Sequence, residues 1–399
     1  MAKTKRKRLL ILTNRFLPQV GGAEYYIRGV AQGLAEYFDV DVVTPRRDNV
    51  PTYEEVDGYR IFRLYDCMNP LNRFPYLGAT TLCPSLVPRM LFNTYDAVHC
   101  FPALNYNNFL ALIAGQWKKM PVFLTCFDAF DYLGLFASGQ YTPETIDQLA
   151  VSSRRKGWLS RFRAIFTIAQ RETDMLREAN PNTFLSPVPV SVEEFQQPAA
   201  PEAFREAFHI REGRKIILCL SRVSYIKGQD LLLKAVPLLK EKRSDFTVAF
   251  VGSHDHEPDY FEEMRKFTVE HDLQEQVFFT GIVSRELVLS ALNACDVHVL
   301  PMRFMNAGTI NSETWAVGKP VLQSSRVDPN YIREGVDGMT FDVDKPESLV
   351  EKLDYLLSNP EDCQRMGEAG KARVAAEFST QYLVSRYLDL YERYGQVKP

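Results

Sequence analysis

The sequence contains few of the residues that bind metal ions. It has six histidines and seven cysteines in 399 residues, and neither a CxxC pair nor another zinc-ligand spacing occurs. We therefore predict no metal and no cofactor, and we interpret the cysteines as buried, reduced thiols. His254 and His256 are the one close histidine pair, and because no third ligand lies nearby in sequence, a polar loop is favoured over a metal site.

Long apolar runs and an excess of positive charge are also absent. No run of about eighteen apolar residues, the length that crosses a membrane, is present. The N-terminus MAKTKRKRLLILTNRF has too short an apolar part for a signal peptide, so we expect a buried first strand after a basic leader. A formal net charge of −3 gives nucleic acid no polycationic surface. These features predict a cytoplasmic protein that does not bind nucleic acid.

Short apolar runs alternate with amphipathic helical patterns along most of the chain. The clearest helical pattern is AEYYIRGVAQGLAEYF, whose apolar residues recur with the spacing of one helix face. Strands that alternate with helices predict parallel sheets with helices on both faces, which is an α/β class. The predicted strands are RLLILTN, DVDVVTP, YRIFRLY, YDAVHCF, PVFLTCF, AIFTIAQ and TFLSPVPV, followed by KIILCLSR, FTVAFVGS, QVFFTGIV, DVHVLPM, KPVLQSS and GMTFDVD.

The alternation stops near residue 190 and then starts again. A segment rich in proline and alanine, PVPVSVEEFQQPAAPEAFREAF, separates the two halves, which is typical of a boundary between domains. We predict a first domain at 1–190, a linker at 191–205, a second domain at 206–375 and a C-terminal helix at 376–399. Ligands of open α/β sheets bind at the carboxyl ends of the strands, so a cleft between two such sheets is the expected site.

Two glycines follow the first predicted strand in TNRFLPQVGGAEYY. Gly21 and Gly22 lie where the strand turns into a helix, a place where backbone N–H groups can bind an anion. The spacing is not GxGxxG, so a dinucleotide-binding fold is not indicated. A turn that simply needs glycine is an equally good interpretation of this loop alone.

Two cations follow the first strand of the second half in ILCLSRVSYIKGQD. Arg222 and Lys227 both lie beyond the carboxyl end of that strand, where a planar guanidinium and a compact ammonium can hold a diphosphate. Two solvated loop cations are the alternative interpretation.

A polar loop and a glutamate follow the strand DVHVLPM, in RFMNAGTINSETWAVGKP. Small residues before the helix, Gly308 and Thr309 among them, leave backbone N–H groups for a phosphate. A carboxylate there would repel the phosphate unless it binds something else, and Glu313 could accept two hydrogen bonds from a ribose diol. The alternative is a glutamate that only favours the helix dipole.

Taken together, these motifs resemble the retaining glycosyltransferases of family 4. The resemblance extends over nearly the whole chain and includes P-x-x-G-G-x-E in the first loop, YDAVH, SR…KG, ACDVHVLP, GKPV and the EGVDG turn. It implies the GT-B fold, which is α/β with two doubly wound Rossmann-like domains whose parallel sheets face each other across a cleft. It also implies transfer of a sugar from a nucleotide sugar to a hydroxyl acceptor, with retention at the anomeric carbon.

The resemblance further implies a role for each motif. Arg222 and Lys227 would stabilise the leaving nucleoside diphosphate, and Asp128, kept in the stretch TCFD, would be a third catalytic residue. Glu313 would hold the ribose, and the amides at the helix start would hold the phosphates. The C-terminal helix would cross back to the first domain. The predicted donor-binding residues are Gly21, Gly22, Met305, Asn306, Gly308, Thr309, Ile310 and Glu313.

Three positions depart from the family pattern, and all three lie near the expected sugar and acceptor. Met305 stands where the family has a sugar-binding glutamate, Phe127 stands where it has a histidine, and Val188 begins the stretch where it has Asn-Gly-Val-Asp. We therefore expect an unusual donor sugar, deoxygenated or acylated, with Asn306 or Asn311 replacing some hydrogen bonds. A weakly active or inactive relative that binds a nucleotide or a glycan-assembly partner is the alternative.

The expected partners are a nucleotide-sugar donor and a glycan or lipid-linked acceptor. The segment VSSRRKGWLSRFRAIF has a basic amphipathic pattern that suits an anionic membrane surface. A helix packed on its own sheet, with solvated cations on its outer side, is the favoured alternative. The inner face of a membrane is therefore kept as an alternative to a purely cytoplasmic location.

Overall fold

The computed structural model describes residues 6–18, 22–47, 49–68, 81–101, 105–127, 157–195, 199–255, 257–303, 309–327 and 331–398. The chain divides into two compact units. The first unit contains Met1–Pro189 and Thr380–Pro399, and the second contains Val190–Ser379. Each unit is built on one sheet with predominantly parallel strands, which confirms the predicted α/β class with two Rossmann-like domains. That the two sheets face each other across a cleft stays a prediction.

The first unit is built on an eight-stranded sheet. Its strands are β1 (Arg8–Thr13), β2 (Asp39–Pro45), β3 (Tyr53–Val56), β4 (Tyr59–Leu64), β5 (Ala97–Phe101), β6 (Val122–Cys126), β7 (Ile165–Thr167) and β8 (Thr183–Leu185). They lie in the order β3-β4-β2-β1-β5-β6-β7-β8. Neighbouring strands run parallel, except that β3 and β4 form an antiparallel hairpin. The central strands are buried on both faces, which explains their continuous apolar sequences.

Helices of the first unit cover this sheet. Among the described residues before the second unit, the named helices are α1 (Gly22–Ala35), α2 (Leu86–Phe92), α3 (Tyr106–Lys118) and α4 (Gln170–Arg177). The first helix, α1, buries Ile27, Val30 and Leu34, which lie on the face that the apolar spacing in the sequence predicted.

The second unit is built on a six-stranded sheet. Its strands are β9 (Lys215–Leu220), β10 (Phe246–Val251), β11 (Val277–Gly281), β12 (Val297–Leu300), β13 (Val321–Ser324) and β14 (Gly338–Phe341). They all run parallel in the order β11-β10-β9-β12-β13-β14. The chain progresses outward from β9 in one direction and from β12 in the other, so the strand order reverses between β9 and β12. That point is where ligands bind in folds of this kind.

The helices of the second unit include part of the segment predicted as a linker. They are α5 (Pro201–Ala207), α6 (Gln229–Lys242), α7 (Pro258–Glu270), α8 (Arg285–Ala294), α9 (Thr309–Ala316), α10 (Pro346–Ser358) and α11 (Pro360–Arg373). Within residues 191–205, which the sequence predicts as a linker, Val192–Phe195 form a helical turn and α5 begins at Pro201. Phe204 is fully buried, and its N–H donates to Ser290 Oγ at 2.9 Å. Apolar residues among the prolines and alanines therefore anchor this segment to the second unit.

The last helix, α12 (Thr380–Gly395), belongs to the first unit and packs on α1. The two helices approach closely at Gly33, where a Cβ atom would lie 2.5 Å from Cγ2 of Val384. A larger residue at this position would force the helices apart.

A buried cluster of hydroxyl and imidazole groups, here called the tyrosine–histidine cluster, joins α12 to the first sheet. The hydroxyl of Tyr387 lies 2.5 Å from that of Tyr26 and 3.1 Å from Oγ1 of Thr125. Nδ1 of His99 lies 2.5 Å from the hydroxyl of Tyr391, and its Nε2 lies 2.7 Å from Oγ1 of Thr125. Burial lowers the pKa of His99 and raises the pKa values of Tyr26 and Tyr391, so the cluster is uncharged.

The seven cysteines are thiols and form no disulfide with one another. Five are buried, as predicted, whereas Cys67 and Cys363 are partly exposed. Burial raises the pKa of Cys295 to about 12, so this thiol stays protonated. Within the described ranges, no group of three or more metal-binding side chains comes together. None of the helices in those ranges combines the length and the apolar character that a bilayer crossing requires.

Candidate functional site

The carboxyl ends of β9 and β12 bring together two of the motifs found in the sequence. Arg222 and Lys227 follow β9, and α9, which carries Glu313, follows the loop after β12. Because β9 and β12 are neighbours at the point where the strand order reverses, both motifs lie at the edge where a ligand is expected.

The turn that carries Lys227 is pressed against the chain that leaves β12. Gly228 has a φ of 69°, and a Cβ atom there would lie 2.0 Å from the carbonyl oxygen of Pro301, so only glycine fits. The Lys227 ammonium lies 3.8 Å from the sulfur of Met302. Arg222, at the start of the same loop, is exposed. Both predicted cations therefore lie at the carboxyl edge of the sheet.

Arg303 and Asp230 lock this turn in place, and we refer to their ion pair as the Arg303–Asp230 clamp. The guanidinium of Arg303 donates to both oxygens of Asp230, each at 2.7 Å, and to the carbonyl of Tyr225 at 2.8 Å. The hydroxyl of Tyr260 also donates to Asp230, at 2.6 Å. Burial raises the pKa of Asp230, but the hydrogen bonds from Arg303 and Tyr260 outweigh it and lower the pKa to about 2. The clamp is therefore ionised at neutral pH.

An apolar cluster places the start of α9 beside the same turn. Leu300, Met302 and Val327 form its buried part, and Ile226 and Ile310 pack against them. Ile226 precedes Lys227, and Ile310 is the second residue of α9. The N-terminus of α9 and the Lys227 turn are therefore neighbours.

Buried polar groups fix the orientation of α9. The amide of Asn311 donates to Gln323 at 2.9 Å, and the indole of Trp315 donates to the carbonyl of Asp337 at 2.6 Å. Gly370 of α11 allows the helices to meet, because a Cβ atom there would lie 2.2 Å from the Trp315 ring. A helix held by such specific bonds presents its first turn in a defined direction.

Glu313 is bound by an arginine that the sequence did not identify as part of the site. Arg285, the first residue of α8, donates to the two carboxylate oxygens of Glu313 at 3.1 and 3.2 Å. Burial raises the pKa of Glu313, and the charge and hydrogen bonds of Arg285 oppose that rise. Glu313, which is predicted to bind the ribose, is thus held in an ion pair with Arg285.

The remaining predicted residues are divided between described and undescribed parts of the chain. Gly22 is the exposed first residue of α1, and Thr309 is the first residue of α9. The predicted residues that lie outside the described ranges are Gly21, Asp128, Met305, Asn306 and Gly308. His256 also lies outside, whereas His254 stacks on the ring of Phe261 at 4.2 Å.

Phe127, at the position of the family's histidine, is part of an aromatic contact in the first unit. Its ring lies 4.8 Å from the ring of Tyr26 and 6.1 Å from that of Phe101. Val188 and Val190, in the other altered stretch, are 4% exposed. Apolar packing therefore occupies both positions.

Sequence reasoning missed the residues that position the site, namely Asp230, Arg285 and Arg303. Weak signals were present. Asp230 lies two residues after the glycine of the SYIKGQD motif, and Arg285 is a cation in the first turn of a helix, where the helix dipole disfavours it. Their partners lie 73 and 28 residues away in sequence, so only the folded chain reveals the pairs.

Two sequence models of protein families match this chain. The model described as "Glycosyl transferase 4-like domain" matches residues 21–211. The model described as "Glycosyl transferases group 1" matches residues 201–373. The two matches overlap at residues 201–211 and together extend from residue 21 to residue 373.

Full-length relatives and solved structures agree with these matches. The chain is 24% identical to the spore coat protein SA of Bacillus subtilis over 96% of this chain and 98% of that protein. It is 25% identical to a GDP-mannose-dependent monoacylated alpha-(1-6)-phosphatidylinositol monomannoside mannosyltransferase of Corynebacterium glutamicum, over 96% and 97% of the two chains.

Among solved structures, a sucrose-phosphate synthase from Thermosynechococcus elongatus superimposes with a TM-score of 0.76 at 19% identity, over 97% of this chain and 99% of that one. Anabaena HepE, solved in complex with UDP and glucose, superimposes with a TM-score of 0.73 at 16% identity, over 97% and 100% of the chains. This chain therefore has the GT-B fold and belongs to the group 1 glycosyltransferases, with a family 4-like first domain.

Proposed function

We propose that this protein transfers a sugar from a nucleotide-sugar donor to a hydroxyl acceptor and retains the anomeric configuration. The observation that carries the proposal is the convergence of the Lys227 turn, the N-terminus of α9 and Glu313 where the strand order of the second sheet reverses. The names of related proteins are consistent with such a donor. The mannosyltransferase of Corynebacterium glutamicum is GDP-mannose-dependent, and HepE was solved with UDP-glucose.

Each group at this edge suits one part of a nucleotide sugar. Lys227 and Arg222 supply positive charge for the diphosphate. The first N–H groups of α9, those of Thr309 and Ile310, supply hydrogen-bond donors and the positive end of a helix dipole. Glu313 accepts hydrogen bonds from the ribose hydroxyls.

The proposed chemistry needs no nucleophile from the protein. The bond between the anomeric carbon and the diphosphate oxygen breaks while the acceptor oxygen bonds to that carbon from the same face. The acceptor's proton moves to the departing diphosphate. The protein stabilises the negative charge that grows on the diphosphate, and one well-placed donor of this kind is worth about 10²–10³ in rate. In this scheme the cations of the site neutralise the leaving group, so the reaction takes no metal and no cofactor.

The donor sugar is proposed to differ from an ordinary hexose. Met305, which lies outside the described residues, places a thioether where the family has a carboxylate. A carboxylate binds hydroxyls, whereas a thioether favours an apolar group. A deoxygenated or acylated sugar therefore fits better, and selective turnover of an ordinary hexose nucleotide would contradict this part of the proposal.

The decisive experiment measures binding and turnover with a panel of UDP, GDP, ADP, CDP and dTDP sugars. We expect one nucleotide class to raise the melting temperature of the wild type and to be consumed when an acceptor is added. Lys227→Ala should lower turnover by about 10²–10³. Lys266→Ala, which removes an exposed lysine of α7, is the matched control and should have no effect. Unchanged turnover in Lys227→Ala would refute the diphosphate role.

An inactive relative that binds a nucleotide or a glycan-assembly partner is the second candidate. The observation that favours it is the apolar packing of Phe127 and Val188, which removes polar groups near the expected acceptor. The same panel separates the two functions. Nucleotide binding without turnover of any donor would support the inactive relative, and turnover would exclude it.

We also propose that the acceptor is lipid-linked and that the first unit contacts an anionic membrane surface. Phe92 at the end of α2 is 88% exposed, and Trp117 near the end of α3 is 70% exposed. The Lys118 ammonium donates to the carbonyl of Asn93 at 2.8 Å, so the two aromatic side chains lie at neighbouring helix ends. Exposed aromatic residues beside cations are typical of proteins that bind at a lipid interface.

The segment that suggested membrane contact in the sequence packs inward where it is described. Leu159 and Phe162 are each 3% exposed and belong to the core of the first unit. Arg154, Arg155 and Lys156 lie outside the described residues. The packed alternative therefore fits this part of the segment, and Phe92 and Trp117 carry the membrane proposal instead.

Sedimentation with vesicles of phosphatidylglycerol and phosphatidylcholine tests this proposal. We expect binding at low salt that weakens at high salt and falls in the double variant Phe92→Ser, Trp117→Ser. Tyr65→Ser, which removes another exposed aromatic side chain (68% exposed), is the control and should bind like the wild type. Equal binding by all three proteins would refute the role of this surface.

A further inference from the structure

Arg285 occupies a position that its own helix does not favour. It is the first residue of α8, whose preceding residue, Ser284, caps the helix by accepting a hydrogen bond from the N–H of Leu287 at 3.2 Å. A cation in the first turn opposes the helix dipole. The contacts of its side chain must therefore compensate for the unfavourable interaction with the helix dipole.

The guanidinium of Arg285 joins two carboxylates with a two-pronged contact to each. Nε and Nη2 donate to the oxygens of Glu194 at 2.8 and 3.2 Å. Nη1 and Nη2 donate to the oxygens of Glu313 at 3.1 and 3.2 Å. The side chain of Glu313 is 21% exposed, whereas those of Arg285 and Glu194 are 37% and 40% exposed. Glu313 is therefore the member that depends most on a partner for its charge.

The contact leaves Glu313 able to accept further hydrogen bonds. A carboxylate offers about four lone-pair positions, two on each oxygen. Among the residues that the structure describes, Arg285 is the hydrogen-bond donor to Glu313 and takes one position on each oxygen, so one on each remains. Two acceptor positions on one rigid carboxylate match the two neighbouring hydroxyls of a ribose.

Glu194 and Phe195 hold the arginine from the other side. Both belong to the turn at Val192–Phe195, and the guanidinium lies 5.5 Å from the centre of the Phe195 ring. The arginine is thus fixed by the turn at one end and fixes Glu313 at the other. Such support for a ligand-binding side chain reduces the freedom that binding would otherwise remove.

We propose that Arg285 is a positioning residue that keeps Glu313 ionised and aims its free lone pairs at the 2′- and 3′-hydroxyls of the donor ribose. The inference rests on the proposed function, because it requires a nucleotide-sugar donor. Burial raises the pKa of Glu313, and Arg285 opposes that rise while Glu194 adds to it. Without Arg285, Glu313 would therefore take up a proton at higher pH and lose its ability to accept both bonds.

The test compares each of UDP, GDP, ADP and CDP with its 2′-deoxy counterpart, by calorimetric titration of the full chain. The wild type should bind its preferred ribonucleotide about tenfold to a hundredfold more tightly than the deoxy form, the range for a hydrogen bond to a charged group. In Arg285→Met the ratio should fall to within about threefold of one, because the bond to the 2′-hydroxyl is lost. The ribonucleotide affinity of the variant should also weaken from pH 8 to pH 6, while that of the wild type changes less.

Two further variants make the test specific. Arg243→Met removes another two-pronged contact, which Arg243 makes with Asp245 at 2.7 and 2.8 Å at the end of α6, and it should keep the wild-type ratio. Arg285→Lys retains the charge but not the fork, and an intermediate ratio is expected. It also carries the test if Arg285→Met does not fold.

The outcomes separate this inference from the proposed function. A full ribose preference without pH dependence in Arg285→Met, or in Arg285→Lys where only that variant folds, overturns the role of Arg285 and leaves the proposed function intact. Equal binding of ribo and deoxy forms by the wild type overturns the ribose role of Glu313 as well. Failure of the wild type to bind any nucleoside diphosphate overturns both the inference and the proposed function.

Discussion

The tyrosine–histidine cluster of the first unit and the Arg303–Asp230 clamp of the second unit both join segments that are distant in sequence. The cluster does so without charge, because its groups are fully buried and burial shifts each pKa toward the neutral form. The clamp does so with full charges, because each ion has a partner that compensates for lost hydration. Arg285 and Glu313 are likewise an ion pair in which each charge compensates for the lost hydration of the other.

The difference shows what each arrangement can contribute. Neutral hydroxyl and imidazole groups in a core hydrogen-bond to one another and hold one helix against a sheet. They therefore contribute to the stability of the folded state. Paired ions near the edge of a sheet fix the direction of charged groups that a ligand can reach. We therefore expect substitutions in the cluster to change stability alone, and substitutions in the ion pairs to change stability and donor binding together.

The largest effect is expected for Arg303→Met. The side chains of Arg303 and Asp230 are 16% and 13% exposed, and removing one partner of a buried pair costs about 3–5 kcal/mol. The Lys227 turn would lose its anchor, so donor affinity should fall as well. Calorimetric unfolding and donor titration measure the two effects.

Two variants sharpen this prediction. Arg326→Met breaks an exposed pair with Asp344, whose side chains are 45% and 70% exposed, and should cost less than about 1 kcal/mol. Replacing both members of the clamp, by Arg303→Met with Asp230→Leu, should restore part of the stability but not the donor affinity. A loss in Arg303→Met as small as that in Arg326→Met would show that the clamp does not support the site.

The next effect concerns two buried histidines that differ in their partners. His99 is hydrogen-bonded at both ring nitrogens, whereas neither ring nitrogen of His298 has a hydrogen-bond partner among the described residues. Burial lowers the pKa of His298 to about 3 and lowers that of His99. Below a pH of about 6.5 the unfolded chain therefore binds protons that the folded chain does not, and stability falls by up to about 1.4 kcal/mol per pH unit for each histidine.

His298→Leu and His99→Leu should consequently act in opposite directions. His298→Leu removes a group without partners, so it should stabilise the second unit at pH 5.5 and change little at pH 7.5. His99→Leu removes the group that bonds to the hydroxyl of Tyr391 and one of the two groups that bond to Thr125, so it should destabilise the first unit at both pH values. Calorimetric unfolding at the two pH values decides this, and destabilisation by both variants would show that His298 is supported by contacts beyond those described.

The sequence predicted β2 and β4 but missed the edge strand β3 between them. DVDVVTP contains three valines, which favour a strand, and it is β2 from its first residue to its last. The edge strand β3 has the sequence YEEV, and its two glutamates do not indicate a strand. The signal was in the turn that follows, because Asp57 and Gly58 have φ values of 50° and 84° and Asp-Gly is typical of a tight hairpin.

For the candidate site, the sequence identified the groups that are proposed to bind a ligand but not the groups that hold them in place. Lys227 and Glu313 belong to local motifs whose spacing is visible along the chain. Arg285 and Arg303 act through partners on other helices, and an ion pair of this kind depends on how the helices pack. His99 and Tyr391 are 292 residues apart in sequence, so no local sequence pattern predicts their contact.

The smallest effect is expected for Tyr387→Phe in the tyrosine–histidine cluster. The change removes the hydroxyl that bonds to Tyr26 and Thr125 and should destabilise the first unit by about 1–2 kcal/mol. Tyr394→Phe, in the same helix, is the control, because the Tyr394 ring is only partly buried beside Phe184, and it should change little. Donor affinity should stay at the wild-type value in both variants, since Lys227, Thr309 and Glu313, which are proposed to bind the donor, lie in the second unit. If Tyr387→Phe weakened donor binding while Tyr394→Phe did not, then the neutral cluster would also support the site, and the division between stabilising and ligand-positioning polar groups would be wrong.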